Sequence, residues 1–221
     1  MSIPVGLVII IFFLFRLNWK NSIYAISRML VQLLIIGYFL SYIFLSTNSI
    51  LILSILLVMI FIASWIALRT IPINRLDLLI TTSISIMMGG GITLIFVSQF
   101  VMNLDPWYMP RYILPLAGMI FASSMNGVSL AAERLKAELE RNISYKKAKA
   151  IAFKAAMIPI TNSLFAVGIV SIPGMMTGQI LAGVSPLIAV RYQIMVMSMI
   201  FSAVGLSSFI FLFLAESKIV K

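Results

Sequence analysis

The sequence predicts an all-α membrane protein: a polytopic bundle of about seven transmembrane helices, N-terminus outside and C-terminus inside. Three observations carry this. Of 221 residues, 62% are hydrophobic and 10% charged, whereas a soluble domain holds about 45–50% and about 25%. The apolar residues fall in long runs, and a bilayer's hydrocarbon core takes about 20 of them per helix. The Lys and Arg residues collect on one side of the resulting threading, the side that stays in the cytoplasm during insertion.

Seven apolar runs stand out, at residues 3–15, 29–45, 50–68, 76–101, 113–130, 152–172 and 186–214. With their loops they use the whole length, so residues 1–221 read as one membrane domain. No charge precedes the first run, and Arg16 and Lys20 follow it. A cleavable signal has the reverse order, so the run reads as a short span that stays. Arg16, Lys20, Arg28, Arg69 and Arg75 fall on one side. So do Arg134, Lys136, Arg141, Lys146, Lys147, Lys149, Lys154, Lys218 and Lys221. Only Arg111 and Arg191 of the 16 basic residues fall on the other side, which fixes the orientation. Trp107 and Tyr108, after Asp105-Pro106, suit the outer interface.

The same composition excludes much chemistry. There is no cysteine and no histidine, which removes disulfides, Cys/His zinc sites and Cys or His catalysis. The net charge of +10 reads as residues flanking spans rather than as a nucleic-acid surface. Six acids are present, none in mid-span; Asp77 and Glu216 lie at span ends, which argues against proton coupling. No paired-carboxylate or Ser-His constellation exists, so the chain reads as non-enzymatic. It has no Walker A string, so any ATP drive must come from a partner.

Inside the predicted spans several features stand out. Gly89-Gly90-Gly91 follows Met87-Met88, where glycines permit close packing or unwinding. In span five, Gly118, Ala122 and Asn126 recur at helical spacing beside Ser123 and Gly127. That face is expected to point into the bundle as a packing seam or a pathway lining. Pro159 predicts a kink near Ala155, with Asn162 about one turn beyond.

The stretch SIPGMMTGQILAGVSP at 171–186 is apolar yet holds Gly174, Gly178, Gly183, two prolines and Gln179. Irregular backbone at membrane depth is tolerated when buried or lining a cavity, and broken segments often mark transport sites. Residues 173–186 are therefore expected to form a re-entrant or interfacial segment at the outer mouth. Ser185 is expected to cap the last helix, with Pro186 in its first turn. Arg191, one to two turns further, needs a partner or must snorkel. The transport-pathway candidates are Asn126, Asn162, Gly174, Met175, Met176, Gly178, Gln179 and Arg191. The 15 methionines offer either soft-metal thioethers or adaptable packing; no metal ligand set is assigned.

The cytoplasmic loop is placed at 131–152. Span five is expected to run on as a helix to about Arg141, with Glu133/Lys136 and Arg134/Glu138 pairing on its surface. Asn142 ends it, and Ser144 caps a second helix over 145–158. Lys146, Lys147 and Lys149 sit at that helix's positive-dipole end, where anionic lipid or an acidic partner would offset them.

Three strings carry a resemblance: SRMLVQLLIIGYFLSYIF at 27–44, RYILPLAGMIFASSMNGVSLAAERL at 111–135, and KAAMIPITNSLFAVGIVSIPGMMTGQILAGVSPLIAVRYQIMV at 154–196. They resemble the FetB-like iron-export permease family, membrane subunits of small ABC transporters related to plant aluminium-tolerance half-transporters. The resemblance implies a multi-pass permease of the cell (inner) membrane that exports a metal ion, iron in bacterial relatives. It also implies a separate ATP-binding subunit carrying ATP and Mg²⁺, and a homodimer within a two-permease, two-ATPase complex. The ATPase-coupling candidates are Glu133, Arg134, Glu138, Arg141, Lys146, Lys147 and Lys149. Two features depart from the family pattern. Ala122 and Ser123 stand where the family usually has Gly-Asn, and the segment between spans five and six is shorter and free of glycine. An ATP-independent secondary transporter or channel, or a degenerate non-transporting scaffold, are the alternative readings.

Overall fold

The computed structural model describes residues 2–69 and 75–219. Lys221 lies outside the described residues, as do the side chains of Arg75 and Asp77. The chain divides into two compact units, Met1–Thr47 and Asn48–Lys221.

The first unit is a helical hairpin, α1 (Ser2–Leu14) and α2 (Trp19–Ile43). The chain reverses through Arg16, whose φ of 54° is left-handed. Asn18 then caps α2, its side chain accepting from the Asn21 N–H at 3.2 Å, which satisfies one of the free donors at the helix start. The Phe13 and Trp19 rings meet edge to face at 6.3 Å. Helix α2 starts ten residues before the predicted run at 29 because Asn18 supplies the cap there. None of its residues is buried.

Among its described residues the second unit holds seven α-helices: α3 (Ser49–Ala67), α4 (Arg75–Ile95), α5 (Pro110–Glu140), α6 (Tyr145–Ala166), α7 (Gly174–Leu181), α8 (Pro186–Leu214) and the single turn α9 (Glu216–Ile219). Asn48 caps α3, its side-chain oxygen accepting from Ile50 N at 2.9 Å and Leu51 N at 3.3 Å. A π-helical segment, Phe96–Val101, continues α4; the apolar run at 76–101 gives no sign of it. No strand occurs among the described residues; Val167 and Ser171 make an isolated bridge.

Helix α8 is the axis of this unit and packs on α4, α5, α6 and α7. Small residues allow the approach. A Cβ on Gly89 would overlap the backbone of Ser207, and one on Gly127 would lie 2.8 Å from Val204. The seam is polar: Ser207 Oγ donates to Ser124 Oγ at 3.0 Å, and Ser124 Oγ donates to the Ala203 carbonyl at 3.3 Å, whereas the buried Ser208 Oγ has no hydrogen-bond partner among the described residues. Ser64, Ser85 and Thr93 bond to carbonyls one turn back at 2.7–2.8 Å. In an apolar surround a hydroxyl is stabilised by such a partner; the buried Thr82 Oγ1 lacks one among the described residues. Ile86, Ile120, Phe121, Val128, Met199 and Phe211 fill the rest of this core.

Among the described residues five helices are long and apolar enough to cross a membrane: Trp19–Ile43, Ser49–Ala67, Leu78–Val101, Pro110–Glu140 and Pro186–Lys218. The first and sixth predicted runs form helices that fall short of this measure. Helix α1 has 13 residues, about 20 Å at 1.5 Å per residue. Helix α6 carries Lys146, Lys147, Lys149 and Lys154 in its first half. It continues unbroken across Pro159 and ends at Ala166, six residues before the predicted limit of 172. There the chain leaves the helix through Gly168, at φ 86°, a conformation in which a side chain would be strained. The Ala166 carbonyl receives Val170 N at 2.8 Å and Gly168 N bonds Ser171 O at 2.9 Å, closing a tight loop.

Candidate functional site

Residues 173–186 form a short helix and a turn. Pro173 precedes α7, and Thr177 Oγ1 donates back to its carbonyl at 3.1 Å. The helix stops where Gly183 takes φ 87° and Val184 N bonds Gln179 O at 2.9 Å. Pro186 then occupies the first turn of α8. Ser185 is the N-cap residue, but its side chain makes no capping hydrogen bond; the expected hydroxyl cap is replaced by its carbonyl, which takes Ile188 N and Ala189 N, each at 3.0 Å. Helix α7 lies against α8.

Four recesses surround the N-terminal half of α8. The largest, about 570 Å³, lies where α5, α7 and α8 meet, and Met175 and Gln179 both line it. It also takes Met102, Met119, Met195, Tyr112 and Tyr192, with Arg111 contributing the charge. Gln179 Oε1 is buried and has no hydrogen-bond partner. A second, about 460 Å³, is lined by Met176, Pro173, Gly168, Met197 and Gln193. Gln193 is 6% exposed, and its Oε1 is likewise unpartnered. Arg191 lines a third, about 440 Å³, against the π segment at Phe96, Val97 and Val101. Asn126 lines a fourth, about 310 Å³, with Ser123, Pro159 and Ser163. Seven of the methionines line these recesses. By contrast Ala203, Val204, Ser207, Ser208, Phe211 and Leu212 in the C-terminal half are buried.

Of the predicted pathway residues the structure brings Met175 and Gln179 into one cavity and distributes Met176, Arg191 and Asn126 over its neighbours. Gly174 and Gly178 are exposed, and a Cβ on either meets nothing within 4 Å. Asn162 is exposed and lines none of the four. The expected inward face of span five is met in part: Gly127 is buried, and Ser123 and Asn126 share the fourth recess. Ala122 and Asn126 are exposed, whereas Ile120, Phe121, Ser124, Gly127 and Val128 face the core. A stripe set by packing against α8 thus runs two positions off the small-residue stripe. Arg111, Tyr112, Tyr192 and Gln193 are cavity residues that the sequence reading did not single out for the pathway. A polar side chain within an apolar run was the available signal for Gln193.

At the opposite end of α5 the chain turns back through 141–144, with Asn142 at φ 60°. Glu138, 2% exposed, is gripped by Arg134 at 2.6 Å and Arg141 at 3.5 Å. Lys136 pairs with Glu140 at 3.5 Å, rather than with Glu133 as expected; both spacings are open to it on a helix face. Ser144 precedes α6 without a side-chain cap bond. Tyr145 Oη donates to the Leu212 carbonyl of α8 at 2.7 Å. Burial, and then the Glu216 carboxylate, push the phenol well above its usual range. Lys149 bonds Glu216 at 3.4 Å and lies over the Tyr145 and Phe213 rings at 5.7 Å each. Lys146, Lys147 and Glu133 are left exposed.

The sequence matches the Uncharacterised protein family (UPF0014) over residues 1–220. The chain belongs to the UPF0014 family. It is 35% identical over 196 residues to a UPF0014 membrane protein of Synechocystis, covering 80% of this chain and 74% of that one. It is 33% identical over 214 residues to the "Probable iron export permease protein FetB" of Escherichia coli, covering 90% and 81%. It is 31% identical over 206 residues to the protein ALUMINUM SENSITIVE 3 of Arabidopsis thaliana, covering 85% and 73%. No solved structure matches. Family membership and the five apolar helices make this UPF0014 protein a multi-pass membrane protein.

Proposed function

We propose that the chain is the membrane-spanning permease subunit of an ABC exporter of the cell (inner) membrane, moving a metal ion or related solute outward. The observation that carries this reading is the group of recesses around the N-terminal half of α8, in a chain 33% identical to a relative named as a probable iron export permease. Seven spans with the N-terminus outside follow from the charge bias. That threading puts the large cavity at the outer mouth and the α5–α6 turn in the cytoplasm.

In this reading ATP and Mg²⁺ are held by a separate ATP-binding subunit, and two copies of each chain form the complex. The α5–α6 hairpin is the coupling element. Its exposed Lys146, Lys147, Arg141 and Glu133 face the partner, while Glu138 and Lys149 hold the hairpin in shape. Co-purification with the ATPase encoded beside it tests the reading. The wild-type chain is expected to retain the ATPase, and Lys146→Glu/Lys147→Glu to release it. Absence of association, with no change in cell metal content on deletion, would count decisively against it. The brevity of the 141–144 turn favours one other reading, a transporter needing no ATPase; transport in liposomes without ATP would select it.

A further inference from the structure

The cavity between α5, α7 and α8 has a lining that constrains its occupant. It encloses about 570 Å³, within the range that holds a small organic molecule, about 300–1,000 Å³. Its charged side chain is Arg111, and no carboxylate lines it. Four thioethers, from Met102, Met119, Met175 and Met195, and two tyrosine rings, Tyr112 and Tyr192, make up most of the apolar wall.

A bare hard cation fits badly here. Dehydrating it needs several oxygen ligands, carboxylates above all, and the nearest protein charge has the wrong sign. Thioethers offer only soft ligation. Two features instead ask for particular groups. Arg111 is exposed at the cavity's edge in the first turn of α5, where the positive end of the helix dipole adds to its potential. Gln179 Oε1 is buried without a partner, a cost that a hydrogen-bond donor on an occupant would remove.

We propose that this cavity takes an amphiphilic organic anion bearing a hydrogen-bond donor. Its negative group lies at Arg111, its apolar body among the methionines and tyrosines, and its donor at Gln179. The inference rests on the permease reading for its sense as cargo. A metal would then leave wrapped by such an anion, not as an aquo ion.

The test is calorimetric titration of the chain in phosphatidylcholine nanodiscs with benzoate (anion, no donor), catechol (donors, no anion) and 2,3-dihydroxybenzoate (both). The expected order of affinity is dihydroxybenzoate, then benzoate, then catechol. Arg111→Glu is expected to weaken both anions about tenfold and leave catechol unchanged, with Arg111→Lys restoring the loss. Gln179→Leu is expected to erase the preference for dihydroxybenzoate over benzoate. Competition by added phosphatidylglycerol would identify the occupant as an anionic lipid headgroup; none would identify a dissolved anion. Equal anion affinity in Arg111→Glu would overturn the proposal. So would silver(I) binding that disappears when the four methionines become leucine. Equilibrium binding needs neither ATP nor a partner chain, so a failed ATPase co-purification and a failed titration are separate results.

Discussion

Three consecutive glycines in α4 show how residue-level consequences diverge within one motif. A methyl on Gly89 would overlap the Ser207 backbone, one on Gly90 would press on Ile120 at 3.0 Å, and one on Gly91 meets nothing within 4 Å. Backbone cannot move aside, so Gly89→Ala is expected to cost about 1–3 kcal/mol. Gly91→Ala should stabilise α4 by up to about 1 kcal/mol through helix propensity alone. Unfolding of the purified protein in detergent, followed by circular dichroism, reads both. Glu138 is the second decisive residue. It is buried, forms ion pairs with two arginines, and sits near a helix C-terminus where an acid is otherwise disfavoured. Arg134 and Arg141 are well exposed, so water screens part of each pair. Glu138→Gln is therefore expected to cost about 1 kcal/mol in the same assay, not the several of a fully buried pair. The Gly89–Gly91 motif and the Arg134–Glu138 pair are legible in the sequence, because both follow from local spacing. Which glycine touches α8, and that Glu138 is buried, depend on helix rotation, which local spacing leaves open.

Among the elements, α6 is tied to α8 and α9 by side chains from its first turns. Its basic start is fastened to the end of α8 through Tyr145, Lys149, Phe213 and Glu216. Tyr145→Phe removes the hydrogen bond to Leu212 O and is expected to cost about 1 kcal/mol. The phenol's pKa is raised in the folded state, while the unfolded chain ionises near 10. Its contribution is thus complete below about pH 10 and is lost as pH rises above that, since only the unfolded state releases the proton there. Tyr145→Phe should flatten the alkaline fall in stability. The exchange Lys149→Glu/Glu216→Lys should recover most of what either change alone loses, about 0.2–1 kcal/mol. The α5–α6 hairpin was legible: a helix running to about Arg141, Asn142 ending it and a new helix at Tyr145 all follow from capping chemistry and amphipathic spacing. The docking of that helix on α8 was not, because it joins residues 67 apart in the chain. The π segment was equally silent, since its apolar residues suit an ordinary helix.

At the scale of the whole molecule, membrane character was legible because composition and run length report the solvent directly. The unusual stretch at 171–186 pointed to α7 and, through Met175 and Gln179, to one wall of the α5–α7–α8 cavity. The other wall comes from Met102 and the start of α5, and its convergence on α7 is a tertiary fact with no local signature. The proposed function depends on the threading that sets this cavity outside and the α5–α6 turn inside. The chain has no cysteine, so single cysteines can be placed without background. Asn103→Cys and Lys146→Cys, probed in intact cells with a membrane-impermeant maleimide, test the threading directly. Position 103 should label in intact cells and position 146 only after permeabilisation. Labelling of position 146 from outside, with position 103 protected, would contradict the account.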